Sequence, residues 1–265
     1  MDEQPAAPQE TVTVNFTIGV GDEKLSMSAT VPAGQTNITQ ILPVIQSLNN
    51  SLIEGITSQL AEIGSHVSCK AGCGACCRQL VPLSIFEAEA LAAWIRTLPE
   101  TAQQALAQRF HQALSSLAAS GVLDRLLNMT KEDWIPESDA RQRLAIDYLH
   151  QRVPCPFLEN ESCSIHPIRP LICREYLVTS PAEHCYDPAA MKVEGVPIPI
   201  HFFVALNRLG AQVEQETRGW IPLVFLFAWM KAGAHPGERI SGTGPEVLYK
   251  FAKSLTEPEL EPKVP

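Results

Sequence analysis

The sequence predicts a mainly α-helical protein with a small β-hairpin near its N-terminus and a short β-hairpin in a cysteine-rich metal-site core. Three observations lead to this fold class. Apolar residues alternate strictly between positions 11 and 31, they follow helical spacing from 38 to 63, and all eight cysteines fall into two segments, 65–80 and 153–187. The chain has 265 residues, 45% of them hydrophobic and 18% charged, which is ordinary for a globular protein able to bury a sizeable core.

The first predicted element is a β-hairpin over residues 11–32. Alternate apolar residues occupy one face of each strand, and Gly21-Asp22 supplies the turn. A lone hairpin is only marginally stable in water, so this face must pack on the rest of the protein. Residues 1–10 and 256–265 are rich in Pro and Glu and are expected to be disordered tails. Residues 33–255 then form a helical cysteine-cluster domain.

Helical periodicity and capping signals place the helices of this domain. Asn37 and Gln40 form a capping box for a helix over 38–63, which Gly64 ends. Ser84 and Glu87 form a second box, opening a helix to about residue 98. Further helices are expected over 101–120, 121–128 and 138–152. Two apolar stretches, 195–206 and 219–230, are interpreted as buried helices because spanning a bilayer takes roughly 20 residues.

The net charge of −9 argues against nucleic acid or an anionic membrane as the main partner, since both attract clustered Lys and Arg. The acidic start MDEQPAAPQE lacks the basic and apolar regions of a secretory signal. A cytoplasmic protein is therefore expected, without membrane insertion. Thiols stay reduced in the cytoplasm, so disulfides are the less favoured interpretation of the cysteines.

The densest part of the cysteine pattern is the run CKAGCGACC, which contains Cys69, Cys73, Cys76 and Cys77. Such short spacing lets one segment supply several thiolate ligands at small entropic cost. Positions 69, 73 and 76 would also share one helical face, but Gly72 and Gly74 favour a loop.

Four more cysteines follow in the second segment: Cys155, Cys163, Cys173 and Cys185. This segment has a polar turn at 159–161, which suggests a hairpin, and two later helix starts. Because adjacent side chains diverge, Cys76 and Cys77 either serve neighbouring sites or divide between a ligand and a supporting role. Eight cysteines suffice for two four-thiolate sites, or for one cluster with spare thiols.

Four cysteines suit zinc or a [4Fe–4S] cluster. The tight triplet favours the [4Fe–4S] cluster, with zinc as the alternative, because zinc sites prefer separated C-x2-C pairs. Nearby side chains that could support such a site around its ligands are Arg169, Arg174, His166, His184 and Tyr176, and Lys70 and Arg78 could offset thiolate charge.

The run CKAGCGACC, followed by CPFL, a further cysteine and RPLICREY, resembles the CxxCxxCC (YkgJ-type) family of cysteine-cluster proteins over residues 65–185. That family is a zinc- or iron-chelating domain. The resemblance implies that the metal-binding set comprises Cys69, Cys73, Cys76, Cys77, Cys155, Cys163 and Cys173, and Cys185 corresponds to a more variable last cysteine. Flagellin lysine N-methylases share the motif, which implies iron–sulfur-dependent methyl transfer as one alternative.

Three classes of function follow: a redox or chelating metal-binding module, an iron–sulfur enzyme, or a structural zinc protein acting through an unidentified protein partner. The Cys69-x3-Cys73-x2-Cys76 spacing also occurs in radical S-adenosylmethionine enzymes. Here, however, Ala75 replaces their usual aromatic residue, a helix precedes the motif, and no βα alternation follows. Catalytic residues cannot be assigned from the sequence.

Overall fold

The computed structural model of the protein describes residues 10–20, 23–130, 132–134, 138–215, 218–233 and 235–256. Within these ranges the α-helices are α1 Leu42–Glu62, α2 Ile85–Thr97, α3 Glu100–Ala119, α4 Val122–Leu127, α5 Asp139–His150, α6 Leu171–Glu175, α7 Phe202–Glu214, α8 Leu226–Lys231 and α9 Gly244–Thr256. The strands are β1 Thr11–Val20, β2 Glu23–Pro32, β3 Gln35–Asn37, β4 Pro82–Ser84, β5 Leu158–Glu159, β6 Ser162–Cys163, β7 Trp220–Pro222 and β8 Ser241–Thr243. The predicted mainly α-helical fold class is confirmed.

The N-terminal hairpin is present, with β1 and β2 paired antiparallel in a register that sets Ile18 opposite Leu25. Its predicted turn at Gly21-Asp22 lies outside the described residues, as do the two tails apart from Glu10 and Thr256. Ile18, Ala29 and Val31 are buried against α1 and α9. The hairpin therefore rests on a core that also includes α7.

The capping box at the start of α1 exists, but the regular helix begins later than predicted. The Asn37 backbone N–H donates to Gln40 Oε1 at 3.1 Å, and the Gln40 N–H donates to Asn37 Oδ1 at 3.0 Å. Residues 38–41 form turns, and α1 starts at Leu42 with Pro43 in its first turn. Proline lacks the N–H that bonds the carbonyl four residues back, so it suits the first helical turn, where N–H groups have no partner within the helix, and this accounts for the later start. Gly64 follows the helix end with φ of 79°, as its stop signal predicts.

Helices α2 to α5 match their predicted positions closely. Ser84 and Glu87 form the predicted capping box of α2, and the Ser138 side chain accepts N–H bonds at the start of α5. Helices α2 and α3 share a core around Phe110 and Phe157, and a neighbouring core around Leu117 and Leu144 joins α3, α4 and α5. This helical layer separates the two cysteine segments along the chain.

The prediction that residues 195–206 and 219–230 are wholly helical is wrong. Helix α7 starts only at Phe202, and the second stretch divides into β7, the 3-10 helix Leu223–Phe225 and α8. Pro197, Pro199 and Pro222 remove backbone donors that a continuous helix would need. Strand β7 pairs with β4, and β8 pairs with β3.

No helix among the described residues is both long and apolar enough to cross a membrane.

Candidate metal centre

The first cysteine segment leaves α1 as a loop, as its glycines predict. Gly72 has φ of 82°, a left-handed conformation that favours glycine. The loop ends in the 3-10 helix Cys76–Arg78, where the Cys77 N–H donates to the Gly74 carbonyl at 3.1 Å. The loop thus carries Cys69 and Cys73, and the short helix carries Cys76 and Cys77.

There is no room for a side chain at Gly74. A Cβ on this residue would overlap the Glu161 carboxylate and would lie 3.1 Å from Arg78 Nη1. Arg78 binds Glu161 through two bonds of 2.9 and 2.6 Å and also donates to the Gly74 carbonyl at 2.8 Å. This two-point ion pair joins the first cysteine segment to the second, since a guanidinium and a carboxylate match in geometry.

The second segment contains the predicted hairpin, in which β5 pairs with β6 and Leu158 lies opposite Cys163. Asn160 and Glu161 turn the chain with φ of 49° and 57°. The Phe157 N–H hydrogen-bonds the Cys155 thiol, and the Ile165 N–H hydrogen-bonds the Cys163 thiol. In both cases the N–H belongs to the residue two positions after the cysteine. Such N–H···S bonds stabilise thiolates and orient them as metal ligands.

Backbone hydrogen bonds bring the two segments together. The Cys155 N–H donates to the Cys77 carbonyl at 2.7 Å, and the Ser68 N–H donates to the Val178 carbonyl at 2.9 Å. In addition, the Val178 backbone bonds the Cys69 thiol. Residues 78 or more positions apart in the chain are therefore fixed next to each other.

All eight cysteines line a single cavity of about 510 Å³, and all are free thiols. The rest of its wall is largely apolar and includes Leu80, Val81, Phe157, Ile165, Ile172 and Leu223. Cys69 is exposed, Cys185 is buried, and the others are partly buried. The thiols lie around the wall, and in the described part of the chain no three Cys, His, Asp or Glu side chains are already grouped so that they could hold one metal ion.

Burial favours the protonated form of several thiols of this cavity. It raises the pKa of Cys155 to about 12 and holds the pKa of Cys173 well above its ordinary value. The pKa of Cys76 is also raised, first by a hydrogen bond with the Cys77 thiol and then by burial. A cation bound here must displace these protons, since thiolate is the form that coordinates metals.

Arg169 is the predicted supporting residue that faces the thiols most directly. It lines the cavity and lowers the pKa values of Cys69, Cys76 and Cys163, although burial raises each of these pKa values more. Its Nε is buried and has no hydrogen-bond partner. An unpaired buried donor beside thiols fits a cavity that receives a negatively charged group.

The other predicted supporting residues divide between the cavity and its surroundings. His166 and Tyr176 line the cavity, with His166 in contact with Arg169, and burial lowers the pKa of His166. Arg174 does not line it; this side chain binds Asn50 on α1 at 2.9 Å and backbone carbonyls. His184 also lies away from the lining and bonds the Lys192 carbonyl at 2.7 Å.

Several supporting contacts were missed by reasoning from the sequence. Gln79 donates from Nε2 to the Tyr176 hydroxyl at 2.9 Å, and that hydroxyl hydrogen-bonds the Cys185 thiol. Glu87, predicted only as a capping residue, also accepts the Leu171 N–H at 2.6 Å. It thereby holds the start of α6, which carries Cys173. No local sequence signal identifies these partners, because they lie 84 and 97 residues apart.

Comparison with known proteins agrees with this geometry. A model of the CxxCxxCC family, described as a "putative zinc- or iron-chelating domain", matches residues 68–191, a range that contains all eight cysteines. No curated protein and no solved structure is similar enough to the chain to match it. Over residues 68–191 the chain is therefore similar to the CxxCxxCC family.

Proposed function

We propose that this protein binds iron–sulfur in the form of a [4Fe–4S] cluster and acts as a redox or metal-chelating module. The observation that carries the proposal is the single cavity of about 510 Å³ lined by all eight free thiols. A zinc ion held by four thiolates at about 2.3 Å needs almost no free volume, whereas a cluster with its own iron and sulfide atoms needs a cavity.

The donor set supports a soft metal. Thiolates select iron–sulfur clusters and zinc over hard cations such as magnesium and calcium, which prefer oxygen. Glu161 also lines the cavity, but its carboxylate is held by Arg78. The available ligands are therefore mainly sulfur atoms, with the His166 imidazole as a further donor in the lining.

The surroundings suit the negative charge of a thiolate-bound cluster. Arg169 supplies positive charge and an unpaired N–H, and the backbone N–H groups of Phe157, Ile165 and Val178 already point at thiols. When bound, the cluster would supply one-electron transfer. The cysteines would hold it, and Arg169, the N–H groups and the apolar wall would tune its potential.

Zinc is the second candidate. The N–H groups of the residues two positions after Cys155 and Cys163 bond these thiols, and such bonds orient a thiolate for zinc as well as for a cluster. A zinc-loaded cavity would act structurally and would carry no electrons. The two candidates hence differ in colour, metal content and redox response.

Anaerobic purification followed by iron, zinc and acid-labile sulfide analysis tests the proposal. We expect a brown protein with a broad band near about 400 nm that bleaches on reduction. The Cys76→Ser variant is expected to bind less iron than the wild type, because Cys76 lies beside both segments. A colourless protein containing zinc and no sulfide would replace the iron–sulfur assignment with the zinc one.

A further inference from the structure

Two of the thiols share one apolar cluster on the side of the cavity formed by the second segment. Cys155 and Cys163 pack against the buried residues that include Leu83, Phe157 and Leu223. Both accept N–H bonds from the hairpin backbone, as described above. Cys173, on α6, joins them, since Cys155, Cys76 and Cys163 are the thiols whose proximity adds to the effect of burial in raising its pKa. We call Cys155, Cys163 and Cys173 the hairpin group.

Three other thiols are associated with a separate apolar cluster. Cys73 and Cys185 pack in a separate cluster around Ala75 and Val178. Cys69 belongs with them, because the Val178 backbone bonds its thiol. After burial, Cys69, Cys76 and Cys73 are the thiols whose proximity raises the pKa of Cys185. We call Cys69, Cys73 and Cys185 the loop group.

The adjacent pair Cys76–Cys77 lies between the groups. Its 3-10 helix contacts the 3-10 helix Ala182–Tyr186, which carries Cys185. The Cys77 carbonyl accepts the N–H of Cys155 from the hairpin group at 2.7 Å. The two thiols of the pair are themselves hydrogen-bonded to each other. The pair therefore lies next to both groups, and metal binding by each group would have to separate its two thiols.

We propose that the cavity holds two metal centres, one on the hairpin group and one on the loop group, each completed by one thiolate of the Cys76–Cys77 pair. This inference rests on the proposed metal-binding function and adds the number of centres and the cysteines assigned to each. Three thiolates plus one give each centre four sulfur ligands, the number that both [4Fe–4S] clusters and structural zinc sites take. The thiols of the described residues are not grouped around one point in the structure, so each set would have to close on its metal. All eight cysteines are then used.

The two centres differ in access to solvent. The loop group contains Cys69, the one exposed cysteine of the eight, together with the buried Cys185, whereas each member of the hairpin group is partly buried. A chelator in solution reaches the loop-group centre first. Metal release should therefore have a fast phase and a slow phase of equal size.

Titration of the reduced, metal-free full-length chain with Co²⁺ counts the centres. Thiolate-to-cobalt absorption should saturate at two equivalents for the wild-type chain. It should saturate at one equivalent for Cys155→Ser/Cys163→Ser, and also at one for Cys69→Ser/Cys73→Ser. Addition of EDTA to the cobalt-loaded wild type should give two phases, and the Cys69→Ser/Cys73→Ser variant should keep only the slow one.

Saturation of the wild type at one equivalent, or single-phase release, would overturn the two-centre inference. So would loss of all cobalt binding in both double variants while far-UV circular dichroism shows that they remain helical. If a variant does not fold, the wild-type stoichiometry and release phases decide alone. These outcomes are independent of the iron–sulfur assignment, because a zinc protein would still take two cobalt ions, and because failure of that assignment appears as missing sulfide.

Discussion

At the scale of single residues, the cavity combines protonated thiols with one cation that lacks a full set of partners. Arg169 lowers the pKa values of thiols in both the hairpin group and the loop group. Its unpaired buried Nε carries a desolvation cost until it finds an acceptor. Metal-bound sulfur would be such an acceptor, so we expect metal loading of the cavity to satisfy this arginine.

Replacement of Arg169 by Gln should weaken metal binding about 10- to 100-fold, the usual cost of removing a partner that supports metal ligands. Competition with a chromophoric chelator measures the affinity. Arg125→Gln is the matched control, because Arg125 pairs with Asp147 on the surface and does not line the cavity. Equal affinities for the wild type and both variants would contradict a role for Arg169.

Glu87 predicts a specific pH dependence of stability. Burial raises its pKa to about 7 from an ordinary value of 4.5. The stability that the protonated carboxyl contributes is complete below about pH 4.5 and is lost as the pH rises through 7. The wild type should therefore lose up to about 3 kcal/mol relative to Glu87→Gln between pH 5 and 8.

Urea denaturation of both proteins at the two pH values measures this difference. Glu246→Gln serves as the control, since the Thr243 N–H lowers the pKa of the exposed Glu246 carboxyl. That pKa lies below the window, so the control difference should stay flat. A flat difference for Glu87→Gln as well would show that Glu87 remains ionised.

At the scale of elements, the loop and the hairpin are joined by side chains that need Gly74 between them. Gly74→Ala should displace the Arg78–Glu161 pair, because the new methyl group overlaps the carboxylate. We expect a loss of about 1–3 kcal/mol in stability, together with weaker metal binding. Thermal and urea unfolding measure the first effect, and chelator competition the second.

Gly55 provides the contrasting substitution. It lies within α1, and a Cβ there would meet nothing within 4 Å. Gly55→Ala should therefore stabilise the protein by about 0.5–1 kcal/mol and leave metal affinity unchanged. Similar losses for both alanine variants would contradict the close fit at Gly74.

The helices and strands that could be predicted are those with a local sequence signal. The capping box of Ser84, the N-cap of Ser138 and the alternation of the N-terminal hairpin depend on residues close in sequence, so they could be identified. Strand pairs β3–β8 and β4–β7 could not, since each strand has three residues and pairs with one more than 130 positions away. The cysteine segments were evident from spacing. Their convergence on one cavity and the grouping of Cys185 with Cys69 arise from tertiary contacts that no periodicity encodes.

At the scale of the whole molecule, the largest apolar core of the described residues contains none of the cysteines. The core shared by the N-terminal hairpin, α1, α7 and α9 consists of hydrophobic side chains. The two cysteine segments around the cavity, by contrast, are joined by hydrogen bonds and by the Arg78–Glu161 ion pair, and a bound metal would join them further. Metal removal should therefore destabilise the two cysteine segments more than the core of the N-terminal hairpin, α1, α7 and α9.

Chelation under reducing conditions should lower the Tm by about 10 °C or more, because the free energy of metal binding adds to that of folding. Far-UV circular dichroism at 25 °C should nevertheless retain most of its helical signal. Calorimetry before and after chelation, with metal restored in a third sample, makes the measurement. An unchanged Tm would mean that the thiols are held in place without metal.

The hydrogen bond between the Cys155 N–H and the Cys77 carbonyl has a consequence for protein engineering. Residues 78–154 form an insertion between the two cysteine segments, and the residues that flank it, Cys77 and Cys155, are joined by this hydrogen bond. The entropic cost of closing such a loop rises by only about 0.6 kcal/mol for each doubling of its length. A guest domain grafted after α4, at the exposed Asn128, would therefore leave the thiols where they are, and its fluorescence could report metal uptake from a distance.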